Sequence, residues 1–300
     1  MVKGILLSAR LRTLPLSLAV IGVAHVLAGK MGFANWNISL LAALTASLLQ
    51  ILSNFANDYG DFVKGTDQAA NRTDRALSSG ALSLLQMKNI LIFSSSLTLV
   101  VGVALLYFAF GSVWNWTFAG LFVVGLAAIA AALKYTLGKK PYGYKALGDA
   151  FVFVFFGPVA ILGTLLLYNP QFASWPLNFG SVWAGIWCGL NAVLILTINN
   201  IRDLHKDKQV GKITIPVLLG PNKAEWYFHI LSLASVLAFV AFRVHTDSFS
   251  LAPILLPIVH LFVFNLWLRK LSTNPSHQAY TQMLKIMSIS FLLSPLFAWL

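Results

Sequence analysis

Carboxylates are scarce in this 300-residue chain, and so is charge of any kind: nine Asp and Glu stand against 21 Lys and Arg, together only 10% of the residues. A soluble domain carries roughly a quarter charged residues, so a fully water-exposed surface is excluded. The one cysteine, Cys188, lies inside an apolar run, which excludes a disulfide framework and a thiolate metal site. There is no P-loop, no Gly-x-Gly-x-x-Gly after a strand and no Gly-x-Ser-x-Gly elbow. The six histidines are scattered, and only His205 falls among acids.

What the chain has in quantity is hydrophobicity: 58% apolar residues and a mean hydropathy of +0.78. Runs long enough to cross a bilayer, at about 20 residues each, occur near 13–29, 37–57, 88–110, 114–134, 147–168, 180–200, 224–244, 250–268 and 283–300. The expectation is an all-α polytopic membrane protein, a bundle of about nine transmembrane helices forming one domain over 1–300. Pro253, Pro257 and Pro295 would kink the last two spans, which membrane helices tolerate. Val2 to Arg12 reads as an interfacial helix, and with Lys3, Arg10 and Arg12 leading straight into a full-length span no cleavable signal peptide is expected.

Alternating the spans puts nineteen of the 21 Lys and Arg on one side, leaving Lys30 and Arg243 on the other. The positive-inside rule then sets the N-terminus and the long loops in the cytoplasm and the C-terminus outside. The formal charge of +12 is thus read as orientation in a membrane rather than as a nucleic-acid footprint. All acids but Asp247 fall on or near the cytoplasmic side, and none sits at the middle of a span.

Two acidic clusters close hydrophobic runs on that side. The first is Asn57-Asp58-Tyr59-Gly60-Asp61-Phe62-Val63-Lys64-Gly65-Thr66-Asp67; the second, about 140 residues on, is Asn199-Asn200-Ile201-Arg202-Asp203-Leu204-His205-Lys206-Asp207. Both contain Asn-x-x-x-Asp, which on a helix puts Asn57 with Asp61, and Asn199 with Asp203 and Asp207, on one face. A lone acidic loop is usually just solvated, but a repeat at the same depth among nine acids suits Mg2+ shared with substrate phosphates. Lys64, Arg72, Arg75, Arg202, Lys206, Lys208 and Lys212 interleave with these acids and could donate to phosphate oxygens, although topology alone explains most such cations. The loop from Lys134 to Asp149 carries Tyr135, Tyr142, Tyr144 and Lys145. Its tyrosines read either as an interfacial belt or as a wall for a flat aromatic acceptor, and Asp149 reads as a carboxylate at a helix N-terminus.

Three motifs, Asn-Asp-Tyr-Gly-Asp-x-x-Lys-Gly-Thr-Asp (57–67), Leu-Gly-Asp-Ala-Phe-Val-Phe-Val-Phe-Phe-Gly (147–157) and Asn-Asn-Ile-Arg-Asp-x-x-x-Asp-Lys-x-x-Gly-Lys-x-Thr (199–214), resemble the UbiA superfamily of intramembrane prenyltransferases over nearly the whole chain. Their wording is similar to the branch that prenylates 1,4-dihydroxy-2-naphthoate in menaquinone biosynthesis. Where the family often has a Gly-Pro turn, this chain has Asn71-Arg72-Thr73-Asp74. The resemblance implies a Mg2+-dependent transfer from a polyprenyl diphosphate to an aromatic acceptor, in a bacterial cytoplasmic membrane. It implies metal ligation by Asp58, Asp61, Asp67, Asp203 and Asp207, and diphosphate binding by Asn57, Lys64, Arg72, Arg75, Asn199, Arg202 and Lys212. The acceptor would meet Tyr135, Tyr142, Tyr144, Lys145 and Asp149. Sister acceptors, 4-hydroxybenzoate, homogentisate or haem, are the nearest alternatives. A cation-coupled transporter is disfavoured because its carboxylates would sit near the bilayer midplane.

Overall fold

A computed structural model describes residues 1–69, 75–169, 179–246 and 251–300, with the side chains of 68, 69, 251–253 and 256 outside that description. Arg72 therefore lies outside the described residues, as do Asp74 and Asp247. Among the described residues there are helices and no strand beyond one isolated parallel bridge, Lys145 to Ile213.

The helices run α1 (Val2–Ala9), α2 (Leu14–Lys30), α3 (Trp36–Val63), α4 (Thr66–Ala69), α5 (Leu84–Phe110), α6 (Trp116–Lys134), α7 (Gly148–Phe156) and α8 (Pro158–Tyr168). They continue as α9 (Phe179–Gln209), α10 (Ile215–Leu219), α11 (Pro221–Val244), α12 (Leu251–Thr273), α13 (His277–Ser290) and α14 (Ser294–Trp299). Eight segments among the described residues are long and apolar enough to cross a membrane. The expected run at 250–268 is occupied by the 23-residue α12. The N-terminal stretch is helical as expected, joined to α2 through Arg10 at φ 48° and a tight turn at Leu11–Thr13. The fifth expected span is broken into α7 and α8 at Gly157, where Pro158 cannot continue the ladder.

Short polar residues set the starts of the helices. Asn35 Oδ1 accepts from the Asn37 and Ile38 amides at the head of α3, and Asn115 does the same for α6. Ser83 and Gln86 form a reciprocal capping box on α5. Large apolar side chains such as Phe93, Val123, Ile230 and Phe262 remain exposed, as a surface facing lipid requires.

The long α9 is the axle of the bundle, with α7, α8, α10, α11 and α13 packed around it. Trp187 on α9 is buried against Phe239 and Phe242 of α11 and Phe291. Where α9 meets the α7–α8 break, side chains are absent altogether: Gly157, Gly185 and Gly189 let the backbones touch, as small residues do between membrane helices. A Cβ on Gly157 would lie 2.5 Å from Gly185 O and 2.6 Å from Phe153 O, and one on Gly189 2.6 Å from Phe153 O. Backbone cannot step aside as a side chain can. Gly157→Ala and Gly189→Ala are therefore expected to destabilise by roughly 1–3 kcal/mol each. Gly120→Ala, with nothing within 4 Å, should leave the unfolding temperature in detergent unchanged.

Candidate active site

The first cluster runs from the last turns of α3 into α4 and the second closes the last turns of α9, so Asp58, Asp61, Asp203 and Asp207 each stand near the end of a long helix. Two loops bring those ends together. Thr136 donates to Ala56 O at 2.7 Å and to Asn57 Oδ1 at 3.3 Å, tying the segment after α6 to α3. Gly60 is needed there, since its Cβ would meet Thr136 at 2.7 Å. The segment after α9 then joins the same loop: Ala146 N donates to Ile213 O at 2.8 Å and Ile213 N to Tyr144 O at 3.4 Å.

Tyr144 and Lys212 stand at the seam. Tyr144 donates to Asp61 Oδ1 at 2.7 Å and is held by Thr66 at 2.8 Å. Lys212 Nζ lies 3.8 Å from Asp207 Oδ1 and 5.5 Å from the Tyr144 ring, while Lys64 Nζ lies 5.0 Å from the same ring. Burial works to lower the Lys212 pKa, but Asp61 and Asp207, with Tyr135 and Tyr144 behind them, raise it, and the net direction is upward. Burial pushes the Tyr135 phenol up to about 12 and raises Tyr142 and Tyr144 as well, so all three remain neutral donors.

The other cations are paired just as tightly. Arg75 lies 3.8 Å from both Asp61 Oδ2 and Asp67 Oδ1. Arg202 forks onto Asp203 at 2.9 and 2.7 Å and donates to Asn199 Oδ1 at 2.8 Å. His277 Nε2 stands 3.6 Å from Asp203 Oδ1. Asp58 faces away from these groups: its Oδ2 accepts from Ala76 N at 3.2 Å and its buried Oδ1 has no hydrogen-bond partner.

A cavity of about 650 Å3 opens between the clusters and runs into the apolar interior. Asn57, Asp61, Arg75, Asn199, Arg202, Asp203 and Lys212 line it, as do Tyr135 and Tyr142. Asp58, Lys64, Asp67, Tyr144, Lys145, Asp149 and Asp207 do not: Asp67 and Asp207 stand behind Arg75 and Lys212, and Lys145 is exposed. Asp149 accepts from Tyr227 at 2.9 Å, a contact inside the bundle rather than in the cavity. Tyr142 stacks on Phe151 at 3.9 Å, forming an aromatic wall. Arg10, Arg12 and Lys285, which composition assigns to membrane orientation, also line the cavity, together with Gln50, Asn54 and Ser288. For Gln50 and Asn54 the signal was the spacing Gln50, Asn54, Asn57, Asp61, one continuous polar face on an otherwise apolar helix.

The donor set fits Mg2+ in one form only. Among the described residues no three His, Cys, Asp or Glu converge as a protein-only cage. Single oxygen donors on the wall, Asp61 from α3 and Asp203 from α9, fit an ion that completes its shell with water and phosphate.

A family model described as the UbiA prenyltransferase family matches residues 16–293. The chain belongs to this family. It is 38% identical over 237 residues to the 1,4-dihydroxy-2-naphthoate octaprenyltransferase of Escherichia coli (strain K12), covering 79% of this chain and 75% of that protein. It is 40% identical over 244 residues to the protein of the same name from Haemophilus influenzae, covering 80% and 76%. Among solved structures, a UbiA homolog from Archaeoglobus fulgidus bound to DMAPP and Mg2+ superposes with a TM-score of 0.63 over 96% of this chain and 98% of that one. At 17% identity it shows the UbiA fold in common.

Lys212 offers a test of the seam. Its folded pKa lies above the unfolded value, so its stabilising share is fully present below about pH 10 and is lost only as pH rises through the folded pKa. Lys212→Met is therefore expected to lower the unfolding temperature by the same interval anywhere between about pH 6 and about pH 9. An interval that shrinks across that range would mean the ammonium is not held charged.

Proposed function

We propose that this UbiA-family chain transfers a polyprenyl group from polyprenyl diphosphate to 1,4-dihydroxy-2-naphthoate with loss of carbon dioxide, giving demethylmenaquinol. The observation that carries the reading is a single cavity whose head is lined by Asp61, Asp203, Arg75, Arg202 and Lys212 and whose body is apolar. A diphosphate needs that head and a polyisoprenoid tail needs that body. The two relatives of the same name support the choice of acceptor.

Asp61 and Asp203 would hold Mg2+ from the cavity wall, with Asp58, Asp67 and Asp207 behind them. Bound there, the ion would supply Lewis-acid neutralisation of the diphosphate. Arg75, Arg202 and Lys212 donate to phosphate oxygens, and Asn57 and Asn199 complete the polar head. As the allylic C–O bond breaks, its electron pair leaves with the diphosphate, and these fixed cations stabilise the charge that develops. Tyr135 and Tyr142 line the cavity, and their rings would favour an allylic cation and a flat acceptor bound beside them. The guanidinium groups of Arg10 and Arg12 complement the naphthoate carboxylate. The new C–C bond forms at the carboxylated carbon, and the electrons of the departing carboxylate bond restore the ring, so no catalytic base is required. The site would face the cytoplasm of a bacterial inner membrane, following the distribution of Lys and Arg.

The test is prenyl transfer in nanodiscs with 1,4-dihydroxy-2-naphthoate, a polyprenyl diphosphate and Mg2+. Asp61→Asn and Asp203→Asn are each expected to lower kcat by roughly 10²–10³. Near-wild-type rates in either variant would refute the two-cluster head. Turnover only with 4-hydroxybenzoate, homogentisate or haem would move the acceptor and keep the chemistry.

A further inference from the structure

Arg202 and Asp203 are held in part by a helix that carries neither acidic motif. Neighbouring residues on a helix do not face each other, so the fork of Arg202 onto Asp203 needs the guanidinium curled back along α9. Two groups keep it curled: Asn199 on α9 accepts from Nη2 at 2.8 Å, and Thr281 on α13 accepts from Nη1 at 3.5 Å. Thr281 gives its own hydroxyl proton to His277 O at 2.9 Å, so toward the guanidinium its oxygen can only accept. One turn earlier on the same face of α13, His277 Nε2 stands 3.6 Å from Asp203 Oδ1. Facing a carboxylate, that nitrogen carries its hydrogen rather than its lone pair, in the neutral ring as in the charged one.

Apolar packing sets the rotation of α13. Tyr280, Met283 and Met287, at helical spacing, bury a stripe in the core that Leu194 and Ile198 of α9 share. With that stripe docked, positions 277 and 281 lie against the last turns of α9. Asp61 on the other wall likewise has a donor from outside its helix, the Tyr144 hydroxyl at 2.7 Å. Arg202 and Asp203 line the cavity, whereas His277 and Thr281 stand behind them.

A side chain that binds metal or phosphate needs its rotamer fixed by the groups behind it. We propose that His277 and Thr281 are positioning residues of the prenyl-transfer site, His277 holding the Asp203 carboxylate toward the cavity and Thr281 the Arg202 guanidinium. The separate holds matter because Arg202 and Asp203 are each other's partner. When the guanidinium donates to phosphate, His277 still holds the carboxylate. This assignment rests on the function proposed above.

The experiment reads binding without turnover: calorimetric titration of farnesyl thiolodiphosphate, whose C–S bond resists ionisation, with Mg2+ and no acceptor. Wild type in nanodiscs is compared with His277→Ala, His277→Gln, Thr281→Val and Thr281→Ser. Removing a group behind a metal ligand weakens binding by about tenfold or more. His277→Ala should therefore raise the Mg2+ concentration for half-maximal binding of the analogue by about tenfold. Thr281→Val should raise the Kd of the analogue at saturating Mg2+ by about tenfold as well. His277→Gln keeps an N–H and Thr281→Ser an oxygen, so each should recover most of the loss. In prenyl transfer the KM for polyprenyl diphosphate should rise while that for 1,4-dihydroxy-2-naphthoate stays put. Wild-type constants in either His277→Ala or Thr281→Val overturn the assignment. So does a loss that tracks a lowered unfolding temperature and is not recovered by the conservative variants. A wild type that does not bind the analogue at all would bring down the functional reading, and this assignment with it.

Discussion

Gathering carboxylates in a lipid-embedded bundle is the cost on which the rest of this structure turns. Five aspartates stand near the C-terminal ends of α3 and α9, and in so dry a setting like charges repel strongly. The protein answers by interleaving three cations with four of them: Arg75 between Asp61 and Asp67, Arg202 on Asp203, Lys212 against Asp207. Tyr144 then joins the two halves, giving its proton to Asp61 and its ring to Lys64 and Lys212. The loops after α6 and α9 hold that arrangement over the cavity. Their short parallel bridge is as consequential as any helix contact.

Much of this was legible in the residues. Hydropathy alone locates the spans, because a helix in lipid must satisfy its own backbone and advertise an apolar surface. The two Asn-x-x-x-Asp clusters stood out because acids are so few. Yet the motifs treated their aspartates as equivalents, and the structure does not: Asp61 and Asp203 look into the cavity, while Asp58 turns to the Ala76 amide. A three-residue step on a helix carries a side chain far enough round to change its partner, and sequence spacing alone does not say which face looks inward.

The polar lining was harder to read. Arg10 and Arg12 were indistinguishable from cations that merely orient the chain, because their approach to the cavity depends on the left-handed kink at Arg10. The break between α7 and α8 hid inside a run of unbroken hydrophobicity, and only the touching glycines of α9 explain why Gly157-Pro158 is tolerated. Tyr144 and Lys145 belong to the loop that completes the site without touching its hollow, and Asp149 opens α7 behind it. Proximity in sequence to a motif is a weak guide to which side of a wall a residue occupies.

The withdrawal of acids into the interior has an effect outside it. Of the described acids, all but the half-buried Glu225 are buried, whereas Lys3, Lys64, Lys88, Lys134, Lys139, Lys140, Lys145, Lys208, Lys223, Arg269 and Lys270 are exposed. The charge that the described residues present to an approaching molecule is therefore more positive than their sum, since the negative share of that sum is largely hidden from it. The rim of the bundle presents an almost unopposed positive potential. Such a field draws anionic lipid headgroups around the protein and raises the local concentration of anionic solutes at the mouth of the cavity, an advantage that fades as salt shortens its reach.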